Sequence, residues 1–333
     1  SLPKDVLPRE ISSPPSLYSD RLDRAASVYR TKGFRGRKPE SESANGALRI
    51  FAMGGSSTWG VPLVSPRETY PAVLQTLASE RRPGEKIEVY NAGLAGMGIM
   101  QVLDSISETI LRFNPHIITV SLWYNDSSRQ SIWYGIPGRS DRDVYLSERV
   151  LKKIARFPIL NRFFQSRIYG GLRYLLLQGK TVFQGAKPAV PTERREISEN
   201  PRRMSPEEYR WALEQVAILG EKKNFLPVFV FEPLNRTSTR EDSLKENEYY
   251  LAMKQVAEKY QVPLVDTLTP FHERMGDWLF YDLVHPNPSG HRLMAEILYD
   301  FLFSPEKIGP KGVKILREVG IFPEDSMEYP LRK

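Results

Sequence analysis

The chain contains no cysteine, only four histidines, and no unbroken apolar run of membrane-spanning length. Without cysteine there can be no disulfide scaffold, thiolate metal centre or cysteine nucleophile. A bilayer-crossing helix needs about 20 consecutive apolar residues, and none is present. Any imidazole base must come from His116, His272, His285 or His291. What is present is ordinary: 333 residues, 41% hydrophobic and 26% charged, enough for one large domain or two ordinary ones with a buried core.

The formal net charge of +7 is not spread evenly. Residues 139–203 hold 15 basic and 6 acidic side chains, more than the whole positive excess, so the remainder is slightly acidic. A basic domain surface for nucleic acid is therefore not expected. The charge belongs to one segment.

Residues 1–47 are polar, punctuated by Pro and Gly, and read as an irregular N-terminal arm. Short apolar runs of strand length follow at 48–53, 87–90, 116–123, 226–231 and 262–265. Helical spacing occupies 70–81, 100–113, 243–260 and 288–303. Ser205-Pro206-Glu207-Glu208 predicts a capped helix start, running to about residue 223. Nearly uniform apolar strands alternating with helices predict a parallel five-stranded sheet in a three-layer α/β/α domain over residues 48–303. The interval of about 127–204 is too long for a connection and reads as a helical cap insertion; residues 304–333 form a tail packing back on the domain.

In parallel sheets, ligands bind beyond the carboxyl ends of the strands. The first strand ends there in Gly54-Gly55-Ser56-Ser57-Thr58-Trp59-Gly60, which can expose a small hydroxyl or simply form a Gly/Ser turn. It is neither a Gly-x-Ser-x-Gly elbow nor a phosphate loop. The second runs into Asn91-Ala92-Gly93-Leu94-Ala95-Gly96-Met97-Gly98, whose spacing does not match a dinucleotide fingerprint. The third delivers Trp123-Tyr124-Asn125-Asp126, either a turn pair or a side-chain amide for a developing oxyanion. Near the end, Asp282 and His285 stand three apart in Asp282-Leu283-Val284-His285-Pro286, a surface pair or a carboxylate orienting an imidazole base. His116 lies at a strand entrance, His272 in a connection and His291 within the last helix. No metal-ligand spacing accompanies any of them.

Taken in order, these strings resemble the SGNH/GDSL hydrolase superfamily over about residues 49–126 and 203–303. The resemblance implies a flavodoxin-like sheet and a serine esterase or acyl hydrolase acting on a lipid or glycan ester. It implies Ser56 as nucleophile, His285 as general base and Asp282 as its orienting acid. Ser56, Gly96 and Asn125 would supply the oxyanion hole. No metal or organic cofactor is implied. Two positions depart from the family pattern: Gly55 replaces the namesake Asp, and Trp123 stands where a Gly usually precedes the Asn. The alternatives are an O-acyltransferase on a cell-envelope polysaccharide and a catalytically silent glycan- or lipid-binding protein.

Gly33-Phe34-Arg35-Gly36 before the first strand resembles bacterial, often membrane-anchored or exported, members. The chain opens on Ser, which reads as a processed or truncated start. The expected location is thus extracytoplasmic or anchored through a removed N-terminal segment, with the cytoplasm as the alternative. Residues 150–178 interleave apolar and basic side chains. They read as a cap with a solvated basic face, also suited to peripheral contact between segment 139–203 and an anionic membrane surface.

Overall fold

The computed structural model describes residues 34–40, 46–128, 140–146, 202–235, 247–274 and 278–323. The chain divides into two compact units, one of residues 1–21 and 130–201, the other of residues 22–129 and 202–333. In the first unit only 140–146 are described, ending in a helical turn whose Val144 N–H donates to the Ser140 carbonyl. Most of the expected N-terminal arm, and nearly all of the expected cap with its basic segment, lie outside the described residues.

The second unit is built on the parallel five-stranded sheet that the apolar runs predict, and its strand order is β2-β1-β3-β4-β5. Its strands are β1 (Leu48–Gly54), β2 (Ile87–Asn91), β3 (Ile117–Ser121), β4 (Leu226–Val230) and β5 (Leu264–Val265). Side chains alternate across a strand, and β1 shows what each face requires. Leu48, Ile50 and Ala52 point into a core with Leu74 and Leu77 of α2 (Tyr70–Arg81), Leu293 and Leu298 of α8 (Pro288–Leu302), and Val313 and Leu316 of α9 (Pro305–Glu318). Phe51 faces the other way, stacked on Tyr90 at 5.0 Å and near Phe34 and Phe113. That face carries α3 (Ile99–Glu108) and α5 (Pro206–Lys222), with α6 (Glu248–Tyr260) packed on α5. The remaining helices are short: α1 (Ser56–Trp59), α4 (Tyr124–Ser127) and α7 (Leu268–Glu273).

Local chemistry sets the boundaries. The Ser205 hydroxyl accepts the Glu208 N–H while the Glu208 carboxylate accepts the Ser205 N–H, a reciprocal cap that starts α5. The single helix expected over 100–113 is two: α3 ends at Thr109, and a 3-10 turn at Ile110–Phe113 carries Phe113 to Phe34 and Phe51. The run 116–123 yields a shorter strand, because the chain turns sharply at Trp123 (φ −175°, ψ −35°). Residues 305–318 are two short helical stretches joined at a kink at Gly309 (φ 77°, ψ 172°), and Ile308, Val313, Ile315 and Leu316 are buried in the same core as the sheet.

Candidate active site

The carboxyl ends of β1, β2, β3 and β4 deliver loops to one edge of the sheet. Ser56 follows β1 directly and opens α1, a single turn ended by Gly60. The Asn91 side chain locks this turn to the next loop: its Nδ2 donates to the Thr58 carbonyl at 2.8 Å and its Oδ1 accepts the Gly93 N–H at 3.0 Å. The Thr58 hydroxyl lies 3.2 Å from the buried Tyr70 hydroxyl. Ser56 thus sits on a turn held from below and from the side.

His285 and Asp282 come from the segment preceding α8. Phe280 bridges to Pro286, the Tyr281 N–H donates to the His285 carbonyl at 2.9 Å, and Asn287 both caps α8 and donates its Nδ2 to the Trp278 carbonyl at 2.7 Å. On this braced loop Asp282 Oδ2 lies 2.7 Å from His285 Nδ1, and its Oδ1 accepts the N–H groups of Val284 and His285, each at 2.8 Å. Partial burial tends to raise the Asp282 carboxyl, but hydrogen bonds from the His285 ring and from those two N–H groups outweigh it and hold the carboxyl below its usual value. The ionised partner fixes the proton on Nδ1 and leaves Nε2 as acceptor. Nε2 lies 2.9 Å from Ser56 Oγ. Ser56, His285 and Asp282 are therefore one continuous hydrogen-bonded chain.

Asn125, on α4, shares a cleft with Ser56, lined also by Ser57, Tyr124, Glu232, Pro233, Leu234 and Val284. Its Nδ2 donates to the Met97 carbonyl at 2.8 Å, which uses one of its two N–H bonds. Gly55 takes its meaning from this contact. A Cβ there would fall 2.5 Å from Asn125 Nδ2, so any side chain at this position, the Asp of the family pattern included, would have to displace the Asn125 amide. Gly96, with φ +78°, is on the β2–α3 loop, and its carbonyl accepts from Arg203 Nη1 at 3.0 Å. It is not among the residues lining the cleft.

The other histidines serve the fold. His116 Nδ1 accepts the Arg49 N–H at 3.0 Å, and burial, then the Arg49 charge, lower its pKa. His291 Nδ1 accepts the Tyr70 N–H at 3.1 Å, and burial, then the Arg35 and His285 charges, press its pKa down to about 3. His272 lies in α7. Among the described residues no group of three or more His, Asp or Glu side chains is placed to hold a metal ion.

Three features escape sequence reasoning. Ser57 Oγ donates to the Val284 carbonyl at 3.0 Å, joining the Ser56 turn to the His285 loop. The structural use of Asn91 is the second. The third is Glu232, just past β4, only 6% exposed yet part of the cleft wall. Burial, then the Asp126 charge, push its carboxyl up to about 8, and the dipoles of the nearby Trp123 and Tyr124 main-chain N–H groups offset this only in part. A carboxylate closing an otherwise apolar strand at the ligand-binding edge is the one signal that could have found it.

The sequence profile of the GDSL-like Lipase/Acylhydrolase family matches residues 52–293. No curated protein matches the chain. Among solved structures, the acetyl xylan esterase AlAXEase is similar at 14% identity and TM-score 0.48, over 76% of this chain and 98% of that one. The acetylxylan esterase Axe2 from Geobacillus stearothermophilus is similar at 15% identity and TM-score 0.47, over 82% and 94%. LAE5, an alpha/beta hydrolase enzyme from the metagenome of Lake Arreo, Spain, is similar at 16% identity and TM-score 0.47, over 78% and 95%.

Proposed function

The chain belongs to the GDSL-like lipase/acylhydrolase family, whose members act on ester bonds, and from that premise we propose that it is a serine esterase using Ser56, His285 and Asp282 to release a small acyl group. The observation that carries this reading is the unbroken relay from Asp282 Oδ2 through the His285 ring to Ser56 Oγ, at 2.7 and 2.9 Å.

In the proposed reaction, His285 Nε2 takes the Ser56 hydroxyl proton as Oγ attacks the ester carbonyl. Negative charge gathers on the carbonyl oxygen. The Ser56 and Gly96 N–H groups and the second N–H of Asn125 Nδ2 hold it, each such donor being worth roughly 3–4 kcal/mol of barrier. The imidazolium, stabilised by ionised Asp282, returns the proton to the leaving alkoxide. Water, deprotonated by the same nitrogen, then frees the acyl group from Ser56.

A fluorophosphonate probe and p-nitrophenyl acetate test the proposal. Wild type should be labelled at Ser56 and hydrolyse the ester, whereas Ser56→Ala should do neither. His285→Ala should lose at least about 10³-fold in kcat. Measurable wild-type turnover that survives both substitutions rejects the assignment. A folded wild type inert to both reagents rejects the esterase reading itself.

A further inference from the structure

Arg203 closes the basic stretch of residues 139–203, yet it is only 3% exposed. Its guanidinium reaches the β2–α3 loop. Nη1 donates to the Gly96 carbonyl at 3.0 Å, and Nη2 donates to Gln101 Oε1 at 3.4 Å. The same Gln101 oxygen accepts the Gly98 N–H at 2.9 Å. The main chain here reaches the α4 turn instead. The Arg203 N–H donates to the Ser128 carbonyl at 2.9 Å, and the Met204 N–H to the Asp126 carbonyl at 3.1 Å. Arg203 is thus bonded both to the loop that carries Gly96 and to the turn that carries Asn125.

Gly96 needs such a support. It sits at φ +78° with no side chain to fix its orientation, and glycine changes backbone conformation at low cost. Its N–H and its carbonyl flank one α-carbon, so a carbonyl pinned by a charged donor restrains the N–H beside it. The next residues are clasped from the α4 side. The Met97 carbonyl accepts Asn125 Nδ2 at 2.8 Å, and Asp126 Oδ1 accepts the Ile99 N–H at 2.9 Å. A Cβ on Gly98 would fall 2.6 Å from Asp126 Oδ1 and 3.1 Å from Arg203 Nη2. Both side chains therefore close on the loop where any side chain of its own would have to displace them.

We propose that Arg203 is a positioning residue for the oxyanion hole: bonded to Gly96 through its side chain and to the α4 turn through its main chain, it sets the separation of the Gly96 N–H and the Asn125 amide. This rests on the esterase reading, since it assigns a support to two of that reading's oxyanion donors. The role is indirect, because the guanidinium acts on the substrate oxygen through Gly96. Truncating the side chain frees the Gly96 carbonyl while the main-chain bonds to the α4 turn can persist. The loss then reports on the Gly96 side of the clasp.

The test uses the full chain, with kcat and KM for p-nitrophenyl acetate and both the rate and the final extent of fluorophosphonate labelling. Arg203→Ala should lower kcat by about 30- to 100-fold with KM changed less than about twofold. Labelling should slow in step yet reach the wild-type extent, because nucleophile and base stay intact. A merely structural role would instead lower the extent through a misfolded fraction and leave the rate of the folded remainder unchanged. Arg203→Lys keeps the charge but not the fork that spans Gly96 and Gln101, and should lose about 3- to 10-fold in kcat. If Arg203→Ala does not fold, the Arg203→Lys values decide alone. Wild-type kcat and labelling rate in the folded variants, or a loss confined to KM or to labelling extent, overturn the proposal. That failure is distinct from failure of the esterase reading, in which wild type itself neither turns over nor labels.

Discussion

Ser57, next to the proposed nucleophile, donates its hydroxyl to the Val284 carbonyl, one residue before His285, across 3.0 Å. The partners lie 227 residues apart, and their bond joins the turn carrying Ser56 to the loop carrying the imidazole. Register between nucleophile and base thus depends on a neighbouring hydroxyl as well as on the Ser56–His285 contact.

Ser57→Ala should therefore cost about 1 kcal/mol of stability, the net worth of one hydrogen bond, together with a roughly threefold to tenfold fall in kcat. Thermal unfolding and p-nitrophenyl acetate kinetics measure the two. An unchanged kcat would show that the bond does not hold the register.

Gly55 has φ −80°, a value open to any residue, so the effect of a side chain there must come from contact alone. Gly55→Ala should push the Asn125 amide off the Met97 carbonyl and lower kcat by about 10²-fold with little change in KM. Adding Gly55→Ala to Asn125→Ala should then cost almost nothing further. Fully additive losses would mean that the glycine acts elsewhere.

Asp282→Asn should leave the chain folded, since the side chain is 54% exposed, and drop kcat by roughly 10³- to 10⁴-fold through the wrong imidazole tautomer. Because the carboxyl is held below its usual value, its ionisation should add no step to the kcat profile above about pH 4. A step that appears in wild type at pH 5 and vanishes in Asp282→Asn would contradict this.

The Glu232 carboxyl bears on stability. The native state keeps its proton up to about pH 8, while the unfolded chain loses it near the ordinary carboxyl value of 4.5. Stability is thus drained as pH rises through this interval and levels off above it, by an amount on the order of a few kcal/mol. The melting temperature of Glu232→Gln relative to wild type should climb between pH 5 and 9. Parallel curves over that range would refute it.

Neutralising the Lys and Arg side chains within residues 139–203, other than Arg203, should weaken turnover of an anionic ester, or retention on anionic vesicles, while p-nitrophenyl acetate hydrolysis is kept. Collapse of small-ester turnover in a folded variant would count against a role confined to anionic substrates or surfaces.

Much of the fold was legible because apolar periodicity and capping are local. The runs at 48–53 and 226–231 needed burial on both faces, and the parallel sheet supplies it. The break in the 100–113 helix was not legible, because Phe113 is drawn off by Phe34, an aromatic partner nearly 80 residues away. Glu232 and Ser57 were hidden for a related reason. A Ser beside a Ser and a lone Glu after a strand carry no pattern of their own, and their roles arise from what packs against them.

By itself the sequence determined the strand and helix segments, the short span that sets Asp282 three residues before His285, and the family. Each rests on residues close along the chain. Only the tertiary structure decided that Ser56 lies 2.9 Å from an imidazole 229 residues away, that a side chain at position 55 would meet the Asn125 amide, and that Glu232 is buried in the wall of the same cleft. Such contacts depend on strand order and on which loops share one edge of the sheet, and burial at that edge sets the ionisation of Glu232.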